Sequence, residues 1–156
     1  IYMIVHQLNE IIEEEKTSLI AIHSSIEIYK IAYLINSNCN ASFIKSKKDV
    51  VLSKEEAIFE RYEWKINEKD FSWYLFSNKF SYTEEKIKNK DLLFNVLKTK
   101  QVFLIDEFKN VDFFIKKKYD DSSTSLINSI NSIPEVIISY ELSKNKIKLK
   151  HHLIFD

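Results

Sequence analysis

None of the 156 residues is glycine. That absence removes several catalytic designs at once. Dinucleotide loops of the GxGxxG type, Walker A loops, GxSxG nucleophile elbows and kinase phosphate loops all need backbone without Cβ, either to turn sharply or to let a ligand approach. Any position with φ > 0 must be held by Asn, Asp or another residue at a steric cost. Arginine is nearly missing as well. Arg61 is alone, so bidentate guanidinium recognition of phosphate or carboxylate gives way to point-charge lysines. Cys39 is the sole cysteine, which excludes an intramolecular disulfide, a zinc knuckle and a CxxC redox pair. No apolar run approaches the roughly 18 residues that span a bilayer. Ile1–Asn9 lacks the basic flank and long apolar stretch of a secretion signal. Together these absences predict a cytoplasmic chain with no membrane contact and no cofactor or metal.

What is present predicts a packed core. Hydrophobic residues make up 45% of the chain and aromatics 13%, and a single domain over 1–156 of this length buries roughly 70% of its unfolded surface. Lys+Arg and Asp+Glu balance at 23 each, so net charge draws the chain toward neither nucleic acid nor an anionic membrane. Ile, Lys, Asn, Phe and Tyr supply about half of the residues, a skew that an AT-rich coding sequence produces.

Residues 1–17 read as an N-terminal helical arm, with Leu8, Ile11 and Ile12 set among acids. Ser18–His23 reads as a short buried strand. Ser24 and Glu27 match an S-x-x-E capping box for a helix whose Ile28, Ile31, Ala32 and Ile35 form one apolar stripe. Asn36-Ser37-Asn38 supplies its end, with an Asn in place of the usual left-handed glycine. Ser42–Lys47 and Val50–Leu52 are short strands. Ile58–Ile66 alternates with Ile58, Tyr62, Trp64 and Ile66 on one side, and pairs across Asn67–Asp70 with Phe71–Phe80 as an antiparallel hairpin. Thr83–Lys100 reads as a short helix. Val102–Glu107 and Val111–Lys118 read as strands joined across Phe108-Lys109-Asn110. Asp121 or Ser122 caps a helix carrying Leu126, Ile127, Ile130 and Ile133, stopped by Pro134. A last strand, Val136–Leu142, has Val136, Ile138, Tyr140 and Leu142 on its apolar side. This order predicts an α+β fold, an antiparallel sheet with helices packed on one face, in a ferredoxin-like or ACT-like arrangement.

Ile105–Phe114 reads I-D-E-F-K-N-V-D-F-F. It resembles the signature of a small bacterial family named for its motif, I-P-E-x-x-x-V-D-Y-F. Ile105, Glu107, Val111, Asp112 and Phe114 match, while Asp106 stands in place of the proline and Phe113 in place of the tyrosine. The layout is also similar over most of the chain, from the early S-L-I-A-I-H-S-S segment to the terminal K-x-K-x-x-L-I-F-like stretch. The resemblance brings no activity with it.

Several residues are candidates for chemistry, and each has a plainer role beside it. His23, Ser24 and Ser25 stand where a strand meets a helix, a place that gathers anions or pairs a nucleophile with its base; the capping box explains Ser24 and Glu27 more simply. Glu107 and Asp112, with Asp106, suit general acid/base work or a divalent cation, or salt bridges to Lys109 and Lys116–Lys118. His151 and His152 are adjacent and point apart in a strand, a poor metal pair, and His6 has no companion. Lys144, Lys146, Lys148 and Lys150 line one face of a strand that fits RNA or another polyanion, or protects an edge. The leading expectation is a non-catalytic module that binds a protein partner (itself included, as a homodimer) or a small regulatory ligand. The alternatives are an RNA-binding domain using Lys144–Lys150 and a metal-assisted enzyme using Glu107 and Asp112.

Overall fold

The structure, a computed structural model, describes residues 17–52, 54–66, 71–86, 96–118 and 122–142. The chain runs through β1 (Thr17–His23), α1 (Ile28–Cys39), β2 (Ile44–Lys45), β3 (Val50–Leu52), β4 (Ala57–Phe59) and β5 (Arg61–Ile66). It continues through β6 (Phe71–Ser77), β7 (Lys79–Lys86), β8 (Val96–Phe103), a 3-10 turn at Asp106–Phe108, β9 (Phe113–Lys118), α2 (Thr124–Asn131) and β10 (Ile138–Glu141). Among the described residues, six strands form one antiparallel sheet in the order β10-β1-β9-β6-β5-β2, while β3-β4 and β7-β8 form two separate ribbons. The expected α+β class, with both helices on one face of an antiparallel sheet, is what the fold shows.

The central strand explains the packing. In β1, Ile20 and Ile22 face the helices and meet Ile31, Ile35, Leu75, Phe113, Ile115 and Ile130. Leu19 and Ala21 face the other way and meet Phe59, Phe76, Leu104, Val111 and Phe114. Because both faces are covered, β1 is an unbroken apolar run and not an alternating one. The sheet is thus the middle of three layers. In α1 the expected stripe of Ile28, Ile31, Ala32 and Ile35 is buried, each isoleucine contributing about 1.5–3 kcal/mol.

The long aromatic hairpin crosses two layers. β5 and β6 pair within the main sheet, with Trp64 opposite Trp73. At Glu60 and Ser77, joined by Ser77 N–H to Glu60 C=O at 3.1 Å, both arms bend. Beyond the bend β4 joins β3, β7 joins β8, and Phe59 meets Phe80 edge to face. The inward side therefore changes phase. Ala57 and Phe59 are buried while Ile58 is 49% exposed, reversing the expected alternation on that arm.

Other expectations are corrected. Val102–Glu107 does not pair with Val111–Lys118, since β8 lies on β7 and β9 lies between β1 and β6. The described ends of the expected 83–100 helix, 83–86 and 96–100, are strand, with 83–86 paired to 96–99 and Lys100 paired to Tyr82. Helix α1 begins after Glu27 with no side-chain cap, so the Ser24–Glu27 capping box does not form. Its left-handed terminus is Asn40 (φ 51°, ψ 39°) rather than Asn36–Asn38. In β10, Ile138 and Tyr140 are on the exposed side and Ser139 is buried. The N-terminal arm (1–16), the turn at 67–70, Asp121, the paired histidines and the 144–150 lysines lie outside the described residues.

Two asparagines close the edges of the main sheet. At β2, Asn36 of α1 donates from Nδ2 to Phe43 C=O and accepts from Phe43 N–H, both at 2.8 Å. At β10, Asn131 of α2 donates to Ser139 C=O at 3.1 Å and accepts from Ser139 N–H at 2.6 Å. Each amide presents the donor–acceptor pair that a neighbouring strand would offer.

Glu56, in the turn between β3 and β4, has φ 52° with no glycine to relieve it. A Cβ there costs about 1–2 kcal/mol, partly offset by the chain entropy that glycine adds. Glu56→Gly should therefore raise stability by about 0.5–1 kcal/mol in urea unfolding, and a loss of stability would contradict this backbone assignment.

Candidate functional site

The motif segment is built around a residue outside it. Asn78 links β6 to β7 and is fully buried. Its N–H extends the β6–β9 ladder to Asp112 C=O at 2.9 Å, and its C=O accepts from Leu104 N–H at 2.9 Å, extending the β7–β8 ladder. Its side chain then fills the loop between those ladders. Nδ2 donates to Phe108 C=O at 2.9 Å and Val111 C=O at 3.0 Å, and Oδ1 accepts from Ile105 N–H at 2.8 Å. Ile105, Val111 and Phe114 of the motif are accordingly core residues, 4%, 2% and 0% exposed. Phe113 is also buried, against the helices.

Asp112 carries this order to the head of α1. Its Oδ2 accepts from Ser24 N–H at 2.9 Å and its Oδ1 takes Lys79 Nζ at 2.7 Å. Ser24 Oγ donates to Glu135 C=O at 2.7 Å, which ties the same point to the loop before β10. The two motif carboxylates differ in role, since Glu107 lies on the exposed 3-10 turn. Asp112 takes Lys79 as its ion-pair partner; Lys116 and Lys117 are buried in the sheet, 2% and 1% exposed, with Lys117 over the Trp73 ring. His23 stacks on Tyr140 and its Nε2 lies 3.0 Å from the tyrosine hydroxyl. Ser24 and His23 thus spend their polar atoms on different partners and form no nucleophile–base pair. No group of three or more His, Cys, Asp or Glu side chains suited to a metal ion occurs among the described residues.

Beside this junction lies a cleft of about 770 Å³. The start of α1 (Ser25, Ile26, Glu27, Ile28) forms one wall, Lys45, Asp49, Ile58 and Glu60 another, and Ser77, Lys79, Phe80, Ser81 and Phe113 the floor. Lys45 Nζ sits 3.0 Å from both Asp49 and Glu60. Partial burial draws its pKa down, but hydrogen bonds to Glu60 and Asp49 outweigh that and leave it raised. The stabilisation this gives is complete below the ordinary lysine value and disappears as pH rises through the raised one; with 44% of the side chain exposed it is small. Burial, then the Glu60 charge, raises the nearby Tyr62 pKa. Two lysines against Glu27, Asp49 and Glu60 leave the lining slightly acidic, with Lys45 paired to Asp49 and Glu60 and Lys79 paired to Asp112.

Sequence reasoning singled out Asp112 and Ser24 but missed Asn78, Lys79, Lys45 and Glu60. The one available signal was the polar triplet Ser77-Asn78-Lys79, which interrupts an otherwise aromatic strand. Among the described residues no helix is long and apolar enough to cross a membrane. Compared with family models, curated proteins and solved structures, the chain matches none.

Removing the Asn78 amide strands the buried Ile105 N–H and Val111 carbonyl, at about 1–3 kcal/mol each before relaxation, while the Phe108 carbonyl keeps its bond from Val111 N–H. Asn78→Ala should cost about 3–5 kcal/mol in urea unfolding. Asp112→Asn, which keeps an acceptor for Ser24 but loses the Lys79 charge pair, should cost about 1–2 kcal/mol. Glu107→Gln, on the exposed turn, should cost less than about 1 kcal/mol, the range of an exposed charge interaction. Equal losses at Glu107 and Asn78 would contradict this division of roles.

Proposed function

We propose that the chain is a non-catalytic binding module that takes a small ligand in the cleft at the head of α1. One observation carries this reading: Ser24, Asp112, Lys79 and Lys45 are bonded to one another, to backbone or to Asp49 and Glu60 beside a cleft of about 770 Å³. Ser24, Asp112 and Lys79 bond one another or backbone, so they shape a site and do not present a nucleophile, base or metal ligand to it. The volume falls within the roughly 300–1,000 Å³ of small-molecule sites. Its lining sets the ligand class. A strong anion would have to displace Asp112, Asp49 or Glu60 from a lysine, so a ligand of little net charge fits better. Such a ligand has an apolar part against Ile26, Ile58 and Phe80, and hydrogen-bonding groups toward Ser25, Ser77 and Ser81. Asn36 and Asn131 occupy outward backbone groups at both sheet edges, which favours the cleft over strand pairing as the binding surface.

Strand order supports a ferredoxin-like arrangement. β1 and β6, joined through α1 and then β2–β5, lie on either side of β9; β9 and β10, joined through α2, lie on either side of β1. Two interleaved βαβ units of this kind are the ferredoxin-like pattern, here extended by β5 and β2 and covered by the two ribbons. Membership in the family of the I-P-E-x-x-x-V-D-Y-F motif is part of the same proposal. The buried Ile105, Val111 and Phe114 and the bonded Asp112 give its matching positions a structural reason.

The test is a thermal-shift screen with uncharged and zwitterionic metabolites. A ligand at 100 times its Kd adds about 2.7 kcal/mol, which raises the midpoint by roughly 5–10 °C in a chain of this size. Ile58→Glu, at a half-exposed cleft position, should abolish that rise without lowering the midpoint of the unliganded protein. Hits that survive Ile58→Glu unchanged, or a library without hits, would count against the cleft.

A further inference from the structure

We infer that Asn131 is a removable strand surrogate that keeps β10 from pairing with a second copy of the chain. The inference is independent of what the cleft binds. In the β10–β1 ladder, Leu142 N–H bonds Leu19 C=O at 2.9 Å. Antiparallel ladders alternate, so Leu142 and Tyr140 turn their backbone groups toward β1, while Glu141 and Ser139 turn theirs outward. Among the described residues β10 is the last strand of the sheet on that side. The outward groups of Ser139 are the ones an incoming strand would use first.

Asn131 occupies both of them. Besides the two backbone bonds, its Oδ1 lies 3.1 Å from Ser139 Oγ, so three contacts clamp one residue. Position makes the clamp economical. Asn131 is the last residue of α2, and α2 packs against the sheet through buried Ile130. The helix therefore delivers the amide to the edge without a further loop.

The edge needs such a guard, because its exposed side chains invite association. Ile137, Ile138 and Tyr140 are 75%, 48% and 36% exposed. An apolar edge strand with open N–H and C=O groups is a template for pairing with another chain. Lysine or proline, the common protections, are absent from Ile138–Glu141. The opposite edge repeats the device with Asn36 on Phe43. Two edges guarded alike, each from the helix packed beside it, point to a shared solution.

Asn131→Asp tests the idea with little change in volume. It keeps the acceptor for Ser139 N–H but turns an oxygen toward Ser139 C=O where Nδ2 had donated. The wild type should be monomeric by size-exclusion chromatography with light scattering, and the variant should form dimers and larger species as its concentration rises. Adding Ile138→Lys to the variant should restore the monomer, because an edge charge opposes pairing without repairing the clamp. If the variant does not fold, amide exchange in the wild type decides: Ser139 should be protected as strongly as the inward-facing Tyr140. A monomeric variant, association unaffected by Ile138→Lys, a wild type already paired through β10, or rapid exchange at Ser139 would each overturn the inference.

Discussion

Asn78 sits where the chain leaves one sheet and enters another, and the rest of the architecture depends on how it is satisfied. Its backbone N–H belongs to the last rung of the β6–β9 ladder and its C=O to the first rung of the β7–β8 ladder. Its side chain supplies three further bonds to the segment between Ile105 and Val111. Without that amide, the loop would bury the Ile105 N–H and the Val111 carbonyl without a partner, where each lost bond is costly. With it, Ile105 and Val111 can enter the core, Asp112 is fixed at the start of β9, and the head of α1 is held through Ser24. The cleft follows from this chain of contacts and not from any one of its lining residues.

The same device recurs at the surface. Three asparagine amides, at positions 36, 78 and 131, act as fragments of backbone where no strand is available. A fourth asparagine, Asn40, takes the left-handed helix terminus. In a chain without glycine, left-handed positions such as Asn40 and Glu56 carry a Cβ at a steric cost. Backbone groups that lack a strand are bonded by a side chain that carries one donor group and one acceptor in the geometry of a peptide. The exclusion of glycine-based phosphate and elbow chemistry thereby joins a positive structural feature.

Much of the fold was legible because its signals are local. The stripe of Ile28, Ile31, Ala32 and Ile35, the all-apolar β1 and the aromatic β5–β6 pair depend on periodicity that burial imposes directly. The bend at Glu60 and Ser77 was marked only by the polar triplet Ser77-Asn78-Lys79 on one arm, since alternation on the other arm continues smoothly and only a third layer tells β4 and β7 to leave the sheet. Val102–Glu107 and Val111–Lys118 look like a hairpin for the same reason: adjacency in sequence is the default, and Asn78, some 30 residues away, overrides it. In β10 an apolar alternation at Ile138 and Tyr140 suggested the core, yet Ser139 was drawn inward by Asn131 and the Ile127 carbonyl. Of the candidate site, the motif showed where the order is concentrated. Lys45, Lys79 and Glu60 gave no signal because their meaning arises only when distant strands meet.

The central claim is that the Asn78 amide makes the motif loop part of the cooperative core. Native-state hydrogen exchange at increasing low urea tests it most directly, read at the amides of Leu104 and Ile105. The expected result is that both exchange only through global unfolding, with free energies equal to those of Ile20 and Ile22 in β1. Exchange of Ile105 by a low-energy local opening, insensitive to urea, would contradict it.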